Sequence, residues 1–305
     1  MITIIFRKSK PINFIIVAAY MMLIFVIFNY NSFSTDFNEL AKTFLKLGVS
    51  LFFIFILDFI VSKNSLSKKN SYAILTFGLL FGLFPEAFNH SNALIANLLV
   101  LFALRRLLSL QSNLTIKKKF LDAGFWIMLA TLFYLWSTLF FLIVIVALMY
   151  YSQNNVKNII VPIIGGCTVV VLLFAYNIVR FDTYFQSSDL DFAYSLDFTV
   201  YNSKQNIIRL TVLVVAFIWT SIYYLNNLSD KNKRLKPSYF IVFFAAISAF
   251  IIAFIAPDKN GSEFVFLFAP FSIIMSNYIE DISERWFKEI FIVLLLLVPI
   301  ISLLL

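Results

Sequence analysis

FLDAGFWIMLATLFYLWSTLFFLIVIVALMYY, residues 120–151, carries a single charged residue, Asp122, near its start. As one straight helix it would extend about 48 Å at 1.5 Å per residue. The hydrocarbon core of a bilayer is only about 30 Å thick, and tilt does not comfortably absorb the excess. Either the stretch crosses once and overshoots, or it turns back on itself. The charges on either side decide between these. With the N-terminus inside, the connection 63–69 (Lys63, Lys68, Lys69) and the segment 105–119 (Arg105, Arg106, Lys117, Lys118, Lys119) face the cytoplasm. The connections bearing Asp36, Glu39 and Glu86 face out. A single crossing by 120–151 would put Lys231, Lys233, Arg234 and Lys236 outside and the acidic segment 181–205 inside, against the positive-inside rule. A hairpin turning near Tyr134–Leu135–Trp136–Ser137 restores both, with arms of about 22 Å.

The remaining chain fits this reading. Of 305 residues, 61% are hydrophobic and 13% charged, against about 25% charged in an ordinary globular domain. Apolar runs at about 11–29, 41–62, 71–84, 91–108, 157–179, 206–226, 238–256, 264–279 and 288–305 are separated by short polar connections. The expected fold is all-α: a polytopic transmembrane helical protein of about eleven membrane segments, including the short hairpin near 120–151. Its N-terminus lies inside and its C-terminus outside, and residues 1–305 form one integral domain with no soluble part. The basic residues Arg7, Lys8 and Lys10 precede the first run without a convincing cleavage site, so that run is expected to stay as an uncleaved span of a bacterial inner-membrane protein. The net charge of +8 belongs to alternate connections and to orientation, so no nucleic-acid partner is expected. The partners implied are membrane lipids and, beyond them, a lipid-linked sugar or other membrane proteins.

Much chemistry is excluded. One His and one Cys cannot build a zinc site from those ligands or a multi-histidine iron centre, so no metal and no cofactor is expected. The chain has no Walker loop, no GxGxxG and no Gly-x-Ser-x-Gly elbow. Many of the 38 Phe are expected to face lipid, and Gly is scarce at seven. Pro162 with Gly165–Gly166 is the candidate for a helix break of the transporter kind. On the outer side stand Asp36, Glu39, Glu86, His90, Arg180, Asp182, Lys204, Arg209, Asp258, Lys259 and Glu263. Polar connections between spans need such residues for solvation alone. Read as chemistry, Asp36, Glu86 and His90 are the acid–base candidates, the last two sharing a face if one helical turn carries both. Arg180, Arg209 and Asp182 are the candidates for binding a phosphate-bearing substrate, beside the aromatic and acidic segment 181–205. Asp58, inside the run SLFFIFILDFIV, is the candidate for an ion or proton role.

Two resemblances extend this. The opening RKSKPINFIIV, the block ALRRLLSLQSNLTIKKKFLDAGF and the overall length resemble a family of uncharacterised multi-pass inner-membrane proteins of the Bacteroidota, a likeness that implies no particular activity. LDAGFWIMLATLFYLWSTLFFLIVIVALMYY, followed by the Pro162 run, is similar in pattern to polytopic glycosyltransferases that use lipid-phosphate sugar donors. That resemblance implies an outward-facing site with an acid in the first external loop, where this chain has Asp36 and Glu39. The chain departs from the pattern in its short first loop and in lacking paired acids at the end of the first span. Envelope-glycan or lipid-linked-sugar metabolism is thus the first functional expectation. A non-enzymatic subunit or scaffold of a membrane complex is the alternative, and a small-solute or ion transporter the third.

Overall fold

The long apolar stretch is broken where its length demands. In the computed structural model, which describes residues 2–30, 37–151, 157–184, 193–229, 231–257 and 259–304, a helix ends at Phe133 and Tyr134 takes an extended conformation (φ −149°, ψ 102°). A 3-10 turn, Leu135–Phe140, then leads into the next helix at Phe141. In chain order the helices are α1 (Ile2–Phe6), α2 (Pro11–Phe28), α3 (Phe37–Lys63), α4 (Tyr72–Leu83), α5 (Ser91–Leu108) and α6 (Ile116–Phe133). There follow α7 (Phe141–Tyr151), α8 (Lys157–Phe181), α9 (Lys204–Asn226), α10 (Lys236–Ile255), α11 (Val265–Asp281) and α12 (Arg285–Leu304). No strand occurs among the described residues. Among the described residues seven helices, α2, α3, α5, α8, α9, α10 and α11, are long and apolar enough to cross a membrane. This is the architecture of a polytopic membrane protein.

Contacts between connections sort them into two ends. At one end the Ser71 N–H donates to the Phe6 carbonyl (2.9 Å), the Lys68 N–H to Glu280 (3.0 Å), and Tyr239 Oη to the Leu66 carbonyl (3.2 Å). Arg234 reaches the Gln111 carbonyl (3.3 Å) and Arg106 pairs with Asp122 (2.9 Å) there. At the other end Phe84 stacks on Phe264 with ring centroids 4.4 Å apart, and Glu86 meets Arg209. The residue 120–151 segment visits both. Asp122 is at the first end, Tyr134 packs on Phe266 (5.1 Å) and Trp136 donates to the Ala193 carbonyl (3.0 Å) at the second. Tyr150 returns to stack on Phe240 (5.5 Å), in the first turns of α10. The chain therefore reverses at Tyr134, although its arms are unequal, because α6 already begins at Ile116.

The centre is made by α4 and α11. Every residue of α4 is buried, as is α11 from Val265 to Ile279. By contrast, 28% of the most apolar window of α2 and 22% of that of α8 is buried, so these lie at the periphery. Phe77 and Phe81 of α4 meet Phe268 of α11 (6.5 and 4.9 Å), and the rings continue to Phe88, Phe25 and Phe53. The largest fully buried side chains are all phenylalanines, among them Phe120, Phe140 and Phe271. Other phenylalanines, among them Phe44, Phe52, Phe55 and Phe59, are exposed, so the residue type serves both the core and the outer surface. With few small residues to bring backbones together, flat rings at 4.5–7 Å fill the wider gaps between helices.

Close backbone approach at glycines occurs between α6 and α8. A Cβ on Gly124 would collide with the Pro162 carbonyl oxygen, and one on Gly165 with the carbonyl of Leu121. Pro162 and Gly165–Gly166 therefore do not unwind α8, which is helical throughout Lys157–Phe181; the expected break is a packing face. Gly124→Ala should lower thermal stability in detergent by about 1–3 kcal/mol, as overpacking does, because the obstructing atoms are backbone. Gly48→Ala, where a Cβ meets nothing within 4 Å, should be neutral or mildly stabilising. Equal melting temperatures for the two variants would contradict this packing.

Candidate functional site

Pro85 ends α4, since it has no N–H to donate and restrains the residue before it. Phe84 accordingly leaves the helix (φ −128°, ψ 76°), and Pro85–Phe88 forms a single 3-10 turn. That turn aims Glu86 at α9, where Arg209 Nη1 donates to Glu86 Oε1 (2.8 Å). Arg209 is buried, and its Nε donates to Ser302 Oγ near the end of α12 (2.9 Å). Ser302 in turn donates to the Pro299 carbonyl (2.7 Å). Burial holds the Glu86 carboxyl above its ordinary range, with the Arg209 charge opposing that rise.

A second group abuts the first. Tyr201 Oη donates to Glu263 Oε1 and accepts from the Gly261 N–H (3.1 Å). Burial, with the neighbouring Glu263 charge, pushes the Tyr201 phenol far up, so it remains a donor. Gly261 has φ +90°, and a Cβ there would lie 3.2 Å from Glu86 Cβ. A side chain at this position would be strained and would also press on the glutamate. Lys259 is spent on the C-terminus of α10: its Nζ donates to the carbonyls of Ala253 (3.3 Å), Phe254 (2.6 Å) and Ala256 (3.0 Å), as a helix-capping cation does. Burial lowers its pKa while Glu263 counteracts. The result is a knot of Glu86, Arg209, Ser302, Tyr201, Gly261 and Glu263, drawn from five chain segments.

Of the site residues expected from sequence, Glu86 and Arg209 come together. His90 sits at the start of α5 in an extended conformation (φ −93°, ψ 96°), beyond the end of the 3-10 turn, and its buried Nδ1 has no hydrogen bond among the described residues. No continuous helical turn carries Glu86 and His90 together. Arg180 and Asp182 are exposed around the end of α8, with Asp182 in the left-handed region (φ 53°), and no contact joins them to the knot among the described residues. Asp36, Asp189, Asp191 and Asp258 lie outside the described residues. Asp58 faces an open groove of about 770 Å³ between the start of α2 and the end of α3, shared with Lys10 and Lys63; it is not at the bundle centre. Sequence reading passed over Ser302 and Tyr201 as site residues. A lone serine in the closing apolar run, and a tyrosine just ahead of the α9 cap Ser203, were the available signals.

The cavity touching Arg209, lined also by Gly82, Pro85 and Pro299, measures about 20 Å³, room for roughly one water. A ligand pocket needs about 300–1,000 Å³. What the arrangement does as it stands is tie the 84–90 turn, the start of α9, the 256–264 connection and the end of α12 into one unit.

The chain matches, over residues 1–305, the model of a family of unknown function (DUF6427), and it belongs to that family. No curated protein and no solved structure matches it.

Arg209→Met should leave Glu86 and Ser302 without their buried partner and cost about 3–5 kcal/mol, the range for breaking a buried ion pair. Replacing both partners, Glu86→Met with Arg209→Met, should cost less than Arg209→Met alone. Thermal unfolding of the purified variants tests this; losses that simply add would show that the pair is not coupled.

Proposed function

We propose that this member of the family is a multi-pass protein of the bacterial inner membrane, with α2 to α12 as its eleven membrane segments, and that it serves as a non-enzymatic subunit or scaffold of a membrane protein complex. The orientation rests on charge. Lys8, Lys10, Lys63, Lys68, Lys69, Arg105, Arg106, Lys117, Lys118, Lys231, Lys233 and Arg234 belong to connections at the end that also holds the N-terminal helix, and such residues stay cytoplasmic. The end carrying the Glu86–Arg209 knot and Ser302 is then external.

The observation carrying the scaffold reading is the closed knot. The outward polar residues Glu86, Arg209, Tyr201 and Glu263 bind one another and Ser302, and spend these hydrogen bonds holding helices in place. Isolation of the tagged full chain in mild detergent should recover a stoichiometric membrane partner. Recovery as a lone monomer at every detergent tested would sink the reading. A reporter fused after Leu305 should be active outside the cytoplasm.

A second reading, an outward-facing site for envelope glycan or lipid-linked sugar metabolism, is favoured by a separate observation. Glu86 Oε2 and Glu263 Oε2 are both buried without a hydrogen-bond partner among the described residues, which is costly and calls for a water, a proton or a ligand. On this reading Glu263→Gln, at unchanged protein level, alters lipid-linked sugar intermediates. An unchanged profile in cells that make the folded variant rejects it.

A further inference from the structure

We propose that a cleft at the end of the bundle opposite the knot is a binding site for a phosphate-bearing anion at the membrane surface, held by Arg7, Lys68, Arg285 and Lys288. The cleft measures about 660 Å³ and lies between the α1 turn, the connection ahead of α4 and the start of α12. Those four cations line it, together with Asn70, Tyr72 and the carboxylate of Glu280. They arrive from three separate segments, and Lys288 lies within Coulombic reach of Arg7 and Lys68 as well as of Asp281 and Glu280. Gathering like charges in this way is unfavourable unless an anion offsets it.

The carboxylates nearby offset part of that charge but are largely held by other partners. Glu280 lines the cleft, but its oxygens accept from the Lys68 N–H (3.0 and 3.2 Å) and from Asn70 Nδ2 (2.6 Å). Glu289 is turned to the start of α1, accepting from the N–H groups of Ile2 (3.0 Å) and Thr3 (3.1 Å) and from Thr3 Oγ1. Asp281 is shared between Lys68 (3.5 Å) and Lys231 (3.8 Å). Glu284 lines the adjoining cleft with Glu289. Among the described residues no carboxylate forms an ion pair with Arg7, Arg285 or Lys288, and Lys288 Nζ settles for the Glu280 carbonyl (3.3 Å).

Two further features select the ligand. Tyr72 and Arg285 are the first residues of α4 and α12, so two helix amino ends add their partial positive charge at the same place. Guanidinium groups in a fork with ammonium groups match the oxygens of a phosphate better than a single carboxylate. On the rim, Ile4 is 58% and Trp286 62% exposed, an apolar and aromatic edge of the kind that sits at a bilayer interface. The phosphate has two possible sources: the headgroup of an anionic phospholipid or a water-soluble phosphate compound.

The test uses the purified full chain in a neutral detergent, titrated with phosphatidylglycerol, with phosphatidylcholine and, separately, with pyrophosphate, and read by native mass spectrometry and thermal shift. Phosphatidylglycerol is expected to bind at least about tenfold more tightly than phosphatidylcholine, and the Arg7→Gln/Lys288→Gln variant to lose about tenfold, the worth of one charge-assisted hydrogen bond. Lys233→Gln, a basic residue at the same end but not lining the cleft, should bind as the parent does. Pyrophosphate binding that responds to the double variant, without lipid selectivity, would support the site and assign a soluble ligand. Should the double variant fold poorly, Arg285→Gln is the substitute, with a smaller loss expected. Absence of binding by any anion, or binding that Arg7→Gln/Lys288→Gln and Arg285→Gln leave unchanged, would overturn the proposal.

Discussion

The packing of α4 against α11 is the contact on which the other helices depend. Twelve residues of α4 span only about 18 Å at 1.5 Å per residue, too little to face hydrocarbon from one surface to the other. Such a helix is stable only inside protein, where neighbours cover its sides and satisfy its ends. Here α2, α3, α11 and α12 surround it. The Ser71 N–H at its start bonds to Phe6, and Phe84 with Pro85 turns the chain at its finish. Between helices in a membrane there is little hydrophobic driving force, because lipid is as apolar as leucine. Cohesion comes from dispersion contact, and the Phe77–Phe81–Phe268–Phe88 rings supply it over a broad area.

The two ends of the bundle solve their electrostatics differently. At the knot, Glu86, Arg209, Tyr201 and Glu263 find most of their partners within the chain, and Lys259 is absorbed by helix carbonyls. The opposite end carries more cations than carboxylates, and four of them, Arg7, Lys68, Arg285 and Lys288, line one cleft beside α1 and α12. The first end is therefore a structural lock by construction, while the second presents charge to whatever meets it.

Local features were readable from the residues. The length of 120–151 against a bilayer demanded a turn, and the turn falls at Tyr134. The grouping of Lys and Arg in alternate connections matches the meeting of Lys68, Arg106 and Arg234 at one end. What could not be read was pairing over distance. Glu86 and Arg209 are 123 residues apart, and nothing near either names the other. His90, four residues from Glu86, looked the nearer partner, yet the chain changes direction between them. Pro162 and Gly165 looked like a hinge, and only the backbone of α6 lying against them shows that they are a packing face.

By itself the sequence determined an all-helical chain of apolar runs, the reversal within 120–151, and which connections carry the positive charge. These follow from length and polarity taken one segment at a time. Only the tertiary structure decided that α4 and α11 form the centre while α2 and α8 lie outside, and that Glu86 meets Arg209 rather than His90. Hydropathy cannot separate a helix buried in protein from one facing lipid, because both surroundings are apolar. Which charges meet depends on the order of helices around the bundle, and that order is set by the fit of side chains across all of them together.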